Sequence, residues 1–236
     1  DGEGDLDAAG SDNLKSVPYG TKLMVTATPA AGYELSALTA NGTDILATKK
    51  VVVEGNLTVK ATFAKKNFAV TFEKVGEGTI TATGATSLEG EGTITATGAD
   101  DLNAVAYGTE LTINATPATG YELTALTANG TDILATKSFV VKGDTEVKAT
   151  FAKKNFAVSL TKEGEGTISA TGAEDLKAVA YGTELTINAT PATGYELTAL
   201  TANGTDILAT KKVVIKGATE VKATFVDHTG VERTVK

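Results

Sequence analysis

Five short motifs recur in the same order three times along this chain, and that repetition constrains the fold more than any other feature. Tyr-Gly-Thr begins at Tyr19, Tyr107 and Tyr181, and Ala-Thr-Pro ends at Pro29, Pro117 and Pro191. Gly-Tyr-Glu-Leu carries Tyr33, Tyr121 and Tyr195. A longer run, Leu-Thr-Ala-Asn-Gly-Thr-Asp-Ile-Leu-Ala-Thr-Lys, centres on Asn41, Asn129 and Asn203, and Lys-Ala-Thr-Phe closes each copy at Phe63, Phe151 and Phe225. Length alone (236 residues) suggests one or two domains, and the repeats override that expectation with three small ones.

The copies are not equally spaced. Tyr107 lies 88 residues after Tyr19, and Tyr181 lies 74 after Tyr107. The additional 14 have a visible source, because the ten residues 76–85, from Gly76 to Ala85, are repeated as 90–99. A duplicated hairpin tip in a surface loop accounts for this, since lengthening a loop costs little closure entropy. Residues 99–151 and 173–225 differ at six positions, Asp100/Glu174, Asn103/Lys177, Ser138/Lys212, Phe139/Val213, Val141/Ile215 and Asp144/Ala218. Such near-identity points to recent duplication of a module that works by repetition.

Each copy reads as β structure. Phe68, Val70 and Phe72 alternate with Ala69 and Thr71; Leu111, Ile113 and Ala115 alternate with Thr112 and Asn114; Val147, Ala149 and Phe151 alternate with Lys148 and Thr150. That period of two marks strands with one buried face. Asn203-Gly204 and its counterparts supply the pair that a two-residue hairpin needs at positive φ. Gly76-Glu77-Gly78 and Gly164-Glu165-Gly166 are read as the turn of a first hairpin, Lys142-Gly143-Asp144 and Lys216-Gly217-Ala218 as the turn of a last one. Leu200 breaks the phase set by Tyr195 and Leu197, which predicts a bulge near Thr198-Ala199 that returns Leu200 to the core. The one helical candidate is a single turn over Glu174–Ala180.

The fold class expected is therefore all-β: three tandem small β modules, β-grasp-like or small sandwiches, arranged as a semi-rigid rod. A unit of this size buries only about 60% of its unfolded surface, so its stability is modest and contacts between neighbours matter. The link Phe151-Ala-Lys-Lys-Asn-Phe156 leaves little slack between two core aromatics. Three such units in line span roughly 90 Å. The expected division is 1–64 for module 1, lacking its first strand, 65–152 for module 2 with the duplicated segment, 153–225 for module 3, and 226–236 for a divergent tail or closing strand. A second division, 1–74, 75–162 and 163–236, leaves no copy short, and the pairing partners of Phe68 and Val70 distinguish the two.

The run from Tyr181 to Leu197, then Leu200 and Asn203-Gly204, ending in Glu220-Val-Lys-Ala-Thr-Phe225, resembles the divergent internalin B-repeat of the Listeria–Bacteroides repeat group. The likeness covers nearly the whole chain three times and departs from the family pattern where Leu197 and Leu200 stand for the usual Phe and Trp. It implies a small β domain in a secreted or surface-anchored bacterial protein. It carries over no catalytic residue, and it implies adhesion or host contact only in general terms.

Chemical signals are sparse. Net charge is −8, which disfavours nucleic acid or anionic lipid as a partner. No apolar run is long enough for membrane insertion of this segment. There is no Cys and only one His, His228, read as a solvated tail residue; this excludes the usual zinc ligand set and gives a nucleophilic triad no support. The acidic residues Asp1, Glu3, Asp5, Asp7 and Asp12 lack the closing Glu of a calcium loop and are read as a flexible acidic end. Asn41, Asn114 and Asn188 fit the glycosylation pattern but are explained by Thr-rich strands. Hydroxyls spaced two apart at Thr79–Thr83, Thr93–Thr97 and Thr167–Thr171 are read as solvated strand faces, with a flat glycan lattice as the sharper alternative. A Lys–Asn crosslink at Lys153, Lys154 and Asn155 requires burial that the sequence does not indicate.

No catalytic, cofactor-binding or metal residue is assigned, and no cofactor is expected. The chain is expected to be a monomeric, non-enzymatic stalk or spacer of a cell-surface or secreted bacterial protein. The alternative is an adhesin whose strand faces bind a host protein or glycan. The opening Asp1-Gly2-Glu3-Gly4 carries no secretion signal and reads as the interior of a longer protein.

Overall fold

Alternating Leu, Ile and Val on one face and Thr, Asn and Glu on the other force each strand to bury one side, and the chain satisfies this with pairs of small sheets packed face to face. The structure, a computed structural model, describes residues 2–75 and 92–228. Among these there is no helix, and the sheets fall into three groups matching the three repeats.

Module 3 shows the complete pattern. A short bridge strand, Asn155–Phe156, pairs with Val179–Ala180. The opening strand, Val158–Glu163, then runs parallel to the closing strand, Thr219–Asp227. The closing strand pairs antiparallel with Tyr195–Ala202, which turns back into Thr205–Asp206. These four make one sheet, and Gly166–Thr171, Glu184–Pro191 and Lys212–Val214 make the other. Leu185, Ile187, Leu200, Ile215, Val221 and Ala223 lie fully buried between the two. Where a β-grasp covers its sheet with a helix, this module uses a second sheet.

Module 2 repeats the arrangement. Its opening strand, Val70–Val75, runs parallel to Thr145–Lys153, and Phe68 in Asn67–Phe68 bridges to Val105. Phe68 and Val70 thus both pair forward in the chain. Module 1 has the strands Gly4–Ala9, Lys22–Pro29 and Lys50–Val52 in one sheet and Thr43–Asp44, Tyr33–Ala40 and Val59–Lys65 in the other. Among the described residues its second sheet therefore has three strands where modules 2 and 3 have four.

Two local expectations hold. The register of Tyr195–Ala202 shifts between Leu197 and Ala199, and Leu200 is fully buried as a result. Thr198, carried outward by the bulge, donates its hydroxyl to the Thr224 carbonyl at 3.2 Å. Asn203 (φ 45°) and Gly204 (φ 79°) form the two-residue turn with both central residues left-handed.

Four others are corrected. Gly164-Glu165-Gly166 does not close a hairpin: Val158–Glu163 and Gly166–Thr171 belong to different sheets, so the turn crosses between layers. The same holds for Lys216-Gly217-Ala218, which leads from Lys212–Val214 in one sheet to Thr219–Asp227 in the other, and for Lys142-Gly143-Asp144 in module 2. The segment Glu174–Ala180 is not helical; Asp175 accepts the Lys177 N–H at 2.8 Å in a side-chain-capped turn, and Val179–Ala180 is extended. The acidic N-terminal run is not a flexible end, because Gly4–Ala9 is a strand whose Asp5 and Asp7 face Thr28 and Thr26 across the sheet. The Gly76-Glu77-Gly78 turn and most of the duplicated segment lie outside the described residues.

Candidate functional site

Two places in this architecture differ from a plain solvated β surface: the joints between modules, and one flank of module 1.

At each joint a single residue separates the closing strand of one module from the bridge strand of the next. Lys66 stands between Val59–Lys65 and Asn67–Phe68, and Lys154 between Thr145–Lys153 and Asn155–Phe156. Both linkers are held from two sides. Lys66 donates its N–H to Gly32 O (2.8 Å) and accepts from the Tyr107 N–H (2.8 Å). Lys154 donates to Gly120 O (2.9 Å) and accepts from the Tyr181 N–H (2.8 Å). The tyrosine ring of the following module lies directly on the glycine of the preceding one, so that a Cβ on Gly32 or Gly120 would overlap the ring of Tyr107 or Tyr181. Both glycines have φ near +80°, a second reason for the absence of a side chain (82° and 84°). Tyr107 also meets Phe68, with ring centroids 6.4 Å apart and planes tilted by 57°.

The flank of module 1 is an open groove of about 740 Å³. Leu14, Val17, Leu23, Val25, Leu57 and Val59 contribute its apolar wall. Leu14 is 52% exposed, whereas its counterpart Leu102 in module 2 is 2% exposed. Tyr19, the counterpart of the two joint tyrosines, borders the groove and is 81% exposed.

The residues weighed as chemical signals are not brought together. His228 Nε2 lies 3.2 Å from the Glu196 carboxylate, with both side chains about half or more exposed, and its N–H binds Gly194 O at 2.8 Å. It thus ends module 3 in the position that Lys66 and Lys154 hold at the joints, instead of trailing as a solvated tail. Asn41 turns its side chain onto the loop before the closing strand, donating to Asn56 O (2.9 Å) and accepting from the Thr58 N–H (2.8 Å). Asn114 and Asn188 sit in mid-strand opposite Thr95 and Ser169. Lys153, Lys154 and Asn155 are all exposed, which removes the setting a Lys–Asn crosslink needs. Among the described residues no three His, Asp or Glu side chains converge as metal ligands. Thr167, Ser169 and Thr171 face solvent beside Thr186, Asn188 and Thr190 of the neighbouring strand, while Thr79–Thr83 lie outside the described residues. One carboxylate is perturbed: the ammonium of Lys148, 2.9 Å from Glu73, holds the Glu73 carboxyl below its ordinary range, aided by Glu146.

The joint pair escaped the sequence reading although both of its motifs were recognised. Gly32 and Tyr107 belong to different copies, so no pattern within one copy connects them. The available signal was that Gly-Tyr-Glu-Leu and Tyr-Gly-Thr both keep an invariant glycine or tyrosine with no place in the apolar alternation.

These features define a tandem array of two-sheet β modules joined without slack, a repeat protein whose recurring contact is the joint itself. The chain belongs to the divergent InlB B-repeat domain family, whose model matches residues 6–67, 85–155 and 156–229. Repeats of this family are typical of the repeat regions of bacterial surface proteins and are generally non-catalytic. Among curated proteins none matches the chain. No helix among the described residues is long and apolar enough to cross a membrane.

Proposed function

We propose that this chain is a non-enzymatic stalk or spacer, a segment of a bacterial cell-surface or secreted protein that holds another domain at a fixed distance. The observation that carries the reading is the duplicated joint. The same tyrosine-on-glycine contact and the same pair of hydrogen bonds recur at Lys66 and Lys154. A one-residue linker bonded on both sides opposes free hinge motion, and a spacer needs that property more than any binding site. The module boundaries that go with it are 64/65 and 152/153, supported by the forward pairing of Phe68 with Val105 and Val70 with Thr145. Small-angle scattering tests the proposal: an elongated profile with a cross-section one module wide is expected, and a compact globular profile overturns it.

One observation favours a second reading, a repeat adhesin. The outer face of the three-stranded sheet in module 3 presents Thr167, Ser169, Thr171, Thr186, Asn188 and Thr190 as a flat hydroxyl- and amide-bearing surface. Binding to a glycan or matrix-protein array that saturates and is lost on replacing Thr186 and Asn188 by Lys supports this role; no binding across the array removes it.

A further inference from the structure

Tension on a tandem array enters a module by way of its opening strand and leaves by way of its closing strand. The pairing of those two strands decides how the module meets a load. In modules 2 and 3 they are direct neighbours: Val70–Val75 runs parallel to Thr145–Lys153, and Val158–Glu163 runs parallel to Thr219–Asp227, each over six matched residue pairs. Parallel pairing of the first and last strands places entry and exit at opposite ends of the pair. A pull from Lys154 to His228 therefore drags the two strands past each other along their length, and the evenly spaced bonds of a parallel ladder share the force. Antiparallel pairing would bring entry and exit to the same end, where the bonds open in turn.

The packing also keeps the pair from creeping. Val158 is buried and Leu160 packs on the same core, and on the closing strand Val221, Ala223 and Phe225 are buried. A slip of one residue would turn Val158 to solvent, because side chains alternate faces. Glu163 reaches Lys222 at 2.6 Å, and Thr161 donates its hydroxyl to the Glu220 carboxylate at 3.1 Å, both across the pair. Glu73 and Lys148 repeat the tie in module 2 at 2.9 Å. The start of each pair is fixed as well. The Thr219 N–H donates to Ala157 O (3.0 Å) and the Thr145 N–H to Ala69 O (2.9 Å), while the Asp144 carboxylate accepts the Ala69 N–H (2.9 Å).

We propose that modules 2 and 3 are load-bearing units in which the parallel pair of opening and closing strands is a mechanical clamp, resisting tension along the pair better than tension across it. The joint passes force from one clamp to the next: Lys154 alone separates Thr145–Lys153 from the bridge strand Asn155–Phe156, so little slack can be drawn out. The 14 additional residues of module 2 fall in sequence between its two clamp strands, outside the line of force. The inference deepens the stalk reading and rests on it for its purpose, but it adds a property that a spacer does not require. An elongated scattering profile without directional strength would leave the spacer standing and remove the clamp.

The test is single-molecule stretching of the whole chain. The sequence has no Cys, so introduced thiols are the only thiol attachment points. Lys154→Cys with His228→Cys loads module 3 along the pair. Lys154→Cys with Glu220→Cys loads it across the pair, since Glu220 stands opposite Ser159 near the start of both strands. The mean unfolding force should be at least about twofold higher along than across, because the paired residues resist together and forced unfolding follows the unfolding rate. Pulled from its two ends, the unsubstituted chain should show modules 2 and 3 unfolding at matching force, told apart because module 2 releases roughly 50 Å more from its 14 additional residues. Equal forces in the two directions overturn the proposal, as does a contrast that only follows a difference in the variants' denaturant midpoints. Release of the additional length ahead of the module 2 event overturns it too.

Discussion

Module 1 and module 3 share most of their core residues, yet Leu14 is 52% exposed and Val59 half-buried in the first, whereas Val221, the counterpart of Val59, is fully buried in the third. The side chains are largely the same kind, and among the described residues module 3 has one strand more. In module 3 that strand, Val158–Glu163, follows the joint with only the bridge between, so the residues that tie module 3 to module 2 lead directly into those that complete its core. Joint and core are thus coupled: the array is a series of modules each finished by the segment that attaches it to the one before. Stability in such an array is a sum of unit and neighbour terms.

The largest test of this coupling sets equivalent core leucines against each other. Leu185→Ala removes a fully buried side chain from a closed core and should cost about 2–5 kcal/mol. Leu23→Ala removes one that is 5% exposed and borders the groove, so the cavity opens to solvent and the cost should fall near 2 kcal/mol. Native-state hydrogen exchange on the whole chain reads both. Equal losses would break the comparison.

Next in size is the joint. Gly108 and Gly120 share nearly the same φ, 81° and 84°, but Gly108 faces open space and Gly120 faces the Tyr181 ring. Alanine at Gly108 should cost only the left-handed backbone strain, about 1–2 kcal/mol. Alanine at Gly120 should add displacement of the ring and loosen module 3 against module 2, seen as broader interdomain residual dipolar couplings. Tyr181→Ala should produce the same loosening, whereas Tyr19→Ala, at a position 81% exposed, should change stability by no more than ~0.5 kcal/mol. If both tyrosine variants behave alike, the ring contact does not set the joint.

How much of this could be read in advance depends on the range of each signal. The bulge at Thr198 was legible because Leu200 breaks a local period of two, and the Asn203-Gly204 turn because those residues suit left-handed backbone. The layer crossings at Gly164–Gly166 and Gly217 were not, since a short glycine turn has the same composition whether its flanking strands pair or part. The parallel pairing of Val158 with Thr219 joins residues 61 positions apart and leaves no mark in either segment. Lys49, Lys137 and Lys211, all at φ 54°, show a third limit: the N–H of each closes a turn onto Ile45, Ile133 or Ile207, and nothing about lysine announces a left-handed residue. The acidic run Asp5–Asp7 was misread because charge suggested solvation while its alternation with Leu6 and Ala8 was passed over.

The smallest expected effect concerns the edge where opening and closing strands meet. Glu73 on the opening strand of module 2 pairs with Lys148 on the closing strand, as Glu163 pairs with Lys222 in module 3 at 2.6 Å. The Lys148 hydrogen bond lowers the Glu73 carboxyl from its ordinary 4.5, so the folded state holds this proton more weakly than the unfolded chain does. The contribution is therefore present above the unfolded-state value and is lost as pH falls through the lower folded-state value. Because both side chains are exposed, the effect should be small and screened by salt. Carbon-detected titration of Glu73 should give a midpoint below 4.5 at low ionic strength, returning toward it in Lys148→Gln or in high salt. An unchanged midpoint in Lys148→Gln would mean that the ion pair does not report on the parallel pairing.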